Sequence, residues 1–270
     1  MKRVIEPGRA STDYWRDLWR YRELLAFLAW RDIAVRYKQT TIGITWALIR
    51  PVLTLLVFVA FRQMAGLQQH VVPDAILVLS AVLPWQFFAS ALSESSASLI
   101  GNTGLISKVY FPRLIVPLSA LATALVDFLV TLVFLVALMA WYGFAPDARI
   151  LAMPLFVVLA ALLSLGLGLL MAALTVTYRD FRYVVPFMVQ LGLFVSPIAF
   201  ESAQVPLRWR TLYALNPLAG IIDGFRWSIL GGQADLDAQL IASSLVITVG
   251  TLIVGTWYFR RTERGFADAI

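Results

Sequence analysis

The chain is 270 residues long, 60% hydrophobic and only 14% charged, where a soluble domain averages about 25% charged residues. This excludes a disordered chain and an ordinary cytosolic enzyme. The absence of cysteine excludes a disulfide scaffold, thiolate metal sites, Fe–S ligation and a cysteine nucleophile. What remains is an all-α integral membrane protein.

Residues 13–30 read DYWRDLWRYRELLAFLAW. Tyr14, Leu18, Tyr21, Leu25 and Leu28 fall on one helical stripe, with Arg16, Arg20 and Glu23 on a polar one. Trp15, Trp19 and Trp30 flank them. The pattern predicts an amphipathic helix lying in the membrane interface, either as a plain anchor or also touching a soluble partner. Residues 31–51 are a basic approach to the first span, with Arg36, Lys38 and Arg50, and alone mean anchoring to anionic lipid. Because so long a stretch rich in Arg, Trp and Tyr precedes the first apolar run, no cleavable leader is expected.

Runs nearly free of charge predict spans at 75–98, 114–142, 150–177, 184–200 and 238–259. A weaker one at 44–65 contains Arg50-Pro51, where the arginine can snorkel and the proline can start or kink the buried helix. With six spans, both termini share one side. That side carries 17 of the 22 Lys and Arg residues, so the positive-inside rule places it in the cytoplasm. The net charge of +6 is then a topology signal, and no nucleic acid partner is expected.

Between the second and third spans, 101–113 reads GNTGLISKVYFPR. Gly101, Asn102 and Gly104 end the span. The segment Leu105, Ile106, Ser107, Lys108, Val109, Tyr110 and Phe111 is then a partly apolar cytoplasmic patch, folded back on the membrane or docked on a soluble subunit. Glu94 lies near the cytoplasmic end of its span. Asp127 lies near mid-membrane, where an ionisable group costs at least about 2.5–3.5 kcal/mol. It marks an ion or substrate path, or else a buried hydrogen bond or a protonated carboxyl. Gly166, Gly168 and Gly192 allow close helix packing.

Residues 201–234 hold an apolar run too short to span, broken at Asn216-Pro217, with Gly231-Gly232 closing a second short helix. A re-entrant or interfacial hairpin fits, as an outer gate or a lid. The single histidine, His70, rules out a multi-histidine metal site, and the chain has no Walker A loop. Asp235 and Asp237 form a D-x-D match with no nucleotide-sugar domain around it.

Together, WRDIAVRYKQTTIGITWALIRPVLTLLVF, LISKVYFPR, ALVDFLV, TVTYRDFRYVVPFMVQ, SPIAFESAQVP and LYALNPLAGIIDGFRWSILG resemble the permease subunit of ABC-2 type polysaccharide exporters, from about residue 15 to the C-terminus. Such exporters move O-antigens, capsular polysaccharides and teichoic acids. The resemblance implies a bacterial inner-membrane homodimer with two separate ATPase subunits, which carry the ATP and Mg²⁺; this chain binds no cofactor and is no enzyme. It implies that Leu105–Phe111 contains the helix docking on the ATPase, with Tyr178, Arg179 and Asp180 as a second contact. The interface helix, with Trp15, Leu18, Trp19 and Arg22, would sit beside the ATPase. Arg36, Tyr37, Lys38 and Arg50 would stand at the entrance for a lipid-linked glycan. Tyr213, Asn216, Pro217, Phe225 and Trp227 would belong to the periplasmic gate. The translocation path would run between two permeases, along their first and fifth spans.

Overall fold

The computed structural model describes residues 14–38, 45–66, 72–231, 234 and 236–266, and no side chains at 45–47. Expectations that involve residue 13, residues 39–44, His70, residues 232–233 and Asp235 lie outside the described residues.

The described chain is all-helical. Helices α1 (Tyr14–Arg20) and α2 (Arg22–Lys38) lead into α3 (Thr45–Met64), α4 (Asp74–Gly101), the single turn α5 (Thr103–Ile106) and α6 (Ile115–Trp141). Then come α7 (Met153–Thr177), α8 (Phe181–Val195), the short α9 (Leu207–Tyr213), α10 (Pro217–Leu230) and α11 (Ala238–Thr262). Among the described residues, four segments are long and apolar enough to cross a membrane: Asp74–Gly101, Ile115–Trp141, Ala148–Thr177 and Ala238–Gly265. Helix α3 has 20 residues and carries Arg50 and Arg62, whereas α8 has 15. The run predicted at 184–200 stops at Val195 because Pro197 forces Ser196 into an extended conformation (ψ 152°). The predicted interface helix breaks at Tyr21 and continues to Lys38, beyond the expected end at Trp30.

Helix α4 is the centre. It packs against α3, α6, α7, α8 and α10 and is buried on nearly every side. Helix α7 lies between α4 and α11, and α2 runs along α6. One apolar cluster fills most of the bundle around α4; a second joins Leu28, Leu99, Ile106, Phe111, Ile115, Leu169 and Phe259 at the end where α4, α7 and α11 finish. We call this the basic end and its opposite the far end. The predicted stripe of α1 and α2 packs into the second cluster through Tyr14, Leu18, Tyr21 and Leu25.

At the far end, α10 is built as its sequence demands. The Asn216 side chain accepts from the Leu218 N–H (3.1 Å), Pro217 opens the helix and Gly231 ends it at φ 62°. Helix α10 is buried between α4, α7 and α11. Helix α9 leaves Leu207, Trp209 and Leu212 exposed.

Lipid tails give helices no hydrophobic reason to associate, so shape decides. Gly255 of α11 meets Gly166 of α7 so closely that a Cβ on Gly255 would lie 2.0 Å from the Gly166 carbonyl oxygen. A Cβ on Gly168 would lie 2.7 Å from that of Ser95, and one on Gly192 2.6 Å from the Trp85 ring. Most hydroxyls in these helices donate to a carbonyl of their own helix, as Ser80 does to Leu77 and Thr175 to Met171. Ser95 instead donates across to Pro117 (3.2 Å).

A Gly255→Leu exchange should force α7 and α11 apart and cost at least about 1–3 kcal/mol. Gly250→Ala, on the same helix with open space at its Cβ, should be neutral or slightly stabilising. Thermal denaturation of the detergent-solubilised chain measures both.

Candidate functional site

Two surfaces and one polar cavity gather the predicted residues. At the basic end, α4 stops at Gly101, and Asn102 is held from two sides: its amide donates to the Ser98 carbonyl (2.9 Å) and its carbonyl accepts from Arg31 (2.8 Å). The turn α5 then delivers the chain to an irregular stretch ending at Pro112. Ile106 and Phe111 are buried in the second cluster, and Leu105 is half-buried against it. What the loop presents is Ser107, Lys108, Val109 and Tyr110, all exposed. The predicted apolar patch thus has two layers, one fixing the loop and one facing outward.

Tyr178, Arg179 and Asp180 turn the chain from α7 into α8 at the same end and are exposed. The Tyr178 N–H closes α7 by donating to Leu174 (2.7 Å), and its ring rests on Phe181 (6.3 Å). On α1, Trp15 and Trp19 are exposed, Leu18 is half-buried and Arg22 stacks over Trp19 (5.3 Å). Loop, turn and aromatic helix thus share one end of the bundle.

The cavity, about 630 Å³, opens among α2, α3, α4 and α6. Arg36, on the last turn of α2, donates to Glu94 of α4 (2.6 Å) and pairs with Asp127 of α6. The Tyr37 hydroxyl also donates to Asp127. Burial, and then the Asp127 carboxylate, push the Tyr37 hydroxyl up, so it stays a donor. Arg50, Gln86, Ser90, Phe87, Phe128 and Thr131 complete much of the wall. Of the alternatives the sequence leaves open for Asp127, none names its partner, which is an arginine 91 residues away. Of the predicted entrance residues, Arg36 and Tyr37 face the two carboxylates, while Lys38 and Arg50 are exposed.

At the far end, the predicted gate residues separate. The Tyr213 hydroxyl bonds to Ser202 (3.2 Å) and its ring rests on Phe200 (6.2 Å). The Asn216 amide donates to Ser196 (3.3 Å) while Pro217 starts α10. Phe225 points inward and meets Phe128 edge-on (6.1 Å), so it belongs to the core. Trp227 lies under Arg149 (5.3 Å). Two buried arginines escaped the sequence reading. Arg62 pairs with Asp74 (3.1 Å) and reaches the Ala199 carbonyl (3.4 Å). Arg226 donates to the Pro197 carbonyl (2.7 Å) beside Asp223 (3.6 Å). Together they hold the chain leaving α8. The spacing Asp223 to Arg226, one helical turn, was the readable signal for the second pair.

Residues 23–230 match the family model described as ABC-2 type transporter. The chain is 26% identical over 253 residues to the O-antigen export system permease protein RfbA of Klebsiella pneumoniae, covering 92% of this chain and 95% of that protein. It is 25% identical to the protein of the same name in Myxococcus xanthus, covering 94% of this chain and 98% of that one. It is 24% identical to the polysialic acid transport protein KpsM of Escherichia coli, covering 86% and 91%. The all-helical bundle, its membrane-length helices and a family match over most of the sequence agree: the chain belongs to the ABC-2 type transporter family.

Proposed function

We propose that this chain is the permease subunit of an ATP-driven polysaccharide exporter in a bacterial inner membrane. The observation that carries the reading is the exposed strip from Ser107 to Tyr110, at the same end as the turn at Tyr178–Asp180 and anchored by the buried Ile106 and Phe111. An anchored loop that holds Val109 and Tyr110 out beside Lys108 fits a docking element. Its occupant is an ABC ATPase, two copies serving two permeases. End-to-end similarity to proteins named for O-antigen export and polysialic acid transport supports a glycan as cargo.

In this reading, six helices cross the membrane, α3, α4, α6, α7, α8 and α11, with both termini and the basic end in the cytoplasm. The translocation path lies between two copies, along α3 and α8. These helices leave Leu53, Val57 and Phe61, and Tyr183, Phe187 and Phe194, uncovered. Aromatic rings there stack on the apolar faces of sugars and let them slide. Closure of the ATPase dimer on ATP pushes the docking strip and widens the path. Helices α9 and α10 form the periplasmic hairpin at the exit. Lys38 and Arg50, exposed at the entrance, attract the phosphate of a lipid-linked glycan; Arg36 is engaged by Glu94 and Asp127.

A proton-coupled transporter using Asp127 is the second reading, and its carboxylate is badly placed for it. Both its oxygens are already engaged, one by the Arg36 guanidinium and one by the Tyr37 hydroxyl. An ABC-2 exporter of a drug or simple lipid would keep the same docking strip and differ in cargo.

Val109→Asp with Tyr110→Asp should leave the permease folded and abolish co-purification of the ATPase from native membranes. An unchanged ATPase yield would overturn the docking assignment. No ATPase with the unaltered permease would overturn the exporter reading. Arg36→Gln strands Glu94 and leaves Asp127 only the Tyr37 hydroxyl, so it should destabilise the permease by about 3–5 kcal/mol at most, less for the part that water screens. Asp127→Asn leaves Arg36 its Glu94 partner and should cost less, with ATP-dependent export retained. Thermal denaturation orders the two, and loss of export by folded Asp127→Asn with ATP hydrolysis intact would favour the proton path.

A further inference from the structure

The last described turn of the chain reaches back beneath the docking loop. Glu263 follows directly on α11, in the short 3₁₀ turn Glu263–Gly265. Its Oε1 accepts from the Arg113 backbone N–H (2.8 Å) and from the Tyr14 hydroxyl (3.3 Å). Its backbone carbonyl accepts from the Arg113 guanidinium. That guanidinium also stands over the Phe266 ring (6.0 Å). Phe266 is almost fully buried, edge-on to Phe259 (5.3 Å), in the cluster that contains Ile106 and Phe111. Arg260 lies over the rings of Tyr14 (4.6 Å) and Trp15 (6.0 Å). Three segments far apart in sequence therefore converge on one side chain.

The loop has two ends. The first is fixed by Asn102 and Arg31. The second is Arg113, just before α6, whose N-cap residue Leu114 offers no side-chain acceptor. The first N–H groups of α6, at Ile115 and Val116, turn back to the carbonyls of Pro112 and Arg113 (3.1 Å each). That leaves the Arg113 N–H to an outside partner, and Glu263 from the end of α11 accepts it.

We infer that Glu263 is a positioning residue that braces the Arg113 end of the docking loop against α1 and α11. A push on Ser107–Tyr110 then displaces α6, α11 and the interface helix together. The inference rests on the ATPase-docking reading and adds the element through which the push is spread. With the brace removed, the loop hinges at Arg113 and the push is dissipated.

The test uses the permease–ATPase complex from its native host. Glu263→Ala should leave the ATPase co-purifying and ATP hydrolysis of the complex largely unchanged, while surface carbohydrate falls about tenfold. Amide hydrogen exchange over residues 107–113 should quicken. Glu263→Gln keeps an acceptor oxygen for Arg113 and Tyr14 and should restore export and slow exchange. Should Glu263→Ala fail to fold, Tyr14→Phe removes a single hydroxyl and should lower export while leaving hydrolysis alone. Unchanged export and exchange in an intact Glu263→Ala complex, or in Tyr14→Phe if that is the variant that folds, would overturn the brace and leave the docking reading standing. Absence of the ATPase from the unaltered permease overturns the docking reading and the brace with it.

Discussion

A charged side chain placed beside hydrocarbon must bring its partner with it. This constraint ties the bundle together at a few points. Asp127 and Glu94, on neighbouring helices, draw the last turn of α2 up along α6 until Arg36 and Tyr37 reach them. Arg62 is tolerated because it pairs with Asp74 and an open carbonyl at Ala199. Arg226 answers the Pro197 carbonyl and Asp223. In each case the pair joins segments that apolar packing alone would leave free to drift, and the helix that resembles a surface anchor becomes part of the bundle.

Between these pairs, packing is by shape. Glycines let α7 approach α11 and α4 within backbone distance. Helix α4 fills the middle, so the helices around it expose their outer faces to whatever surrounds the subunit. On α3 and α8 those faces are large and apolar. A face of this kind suits lipid and a second copy equally well in polarity. In the proposed arrangement, a path between two copies would be lined by residues indistinguishable in composition from lipid-facing ones.

Much of this was legible in the sequence. The long helices follow from charge-free runs, the close contacts from Gly166, Gly168 and Gly192, and α10 from Asn216, Pro217 and Gly231. The illegible part is long-range. Asp127 finds Arg36 only because a helix read as lying on the membrane climbs beside α6. Ile106 and Phe111 looked exposed because the cluster they fill comes from Leu28, Phe259 and Phe266, which no local pattern brings to them. The resemblance groups Phe225 with the gate, and an apolar ring on a short helix carries no mark that it faces Phe128 in the core. Glu263 sat in a tail whose arginines drew attention to charge balance alone.

The hydroxyls of the bundle carry a mechanical consequence. By donating to their own helices, they leave few hydrogen bonds running from one helix to the next. Contacts made of methyl groups and glycine backbone can slip by a fraction of an ångström at little cost, whereas the charged pairs pin single points: Arg36 ties α2 to the middle of α6, and Arg62 and Arg226 hold the chain leaving α8. The subunit responds to force by shearing its helices past one another about these pins, as rods tied at a few points do when the bundle is twisted.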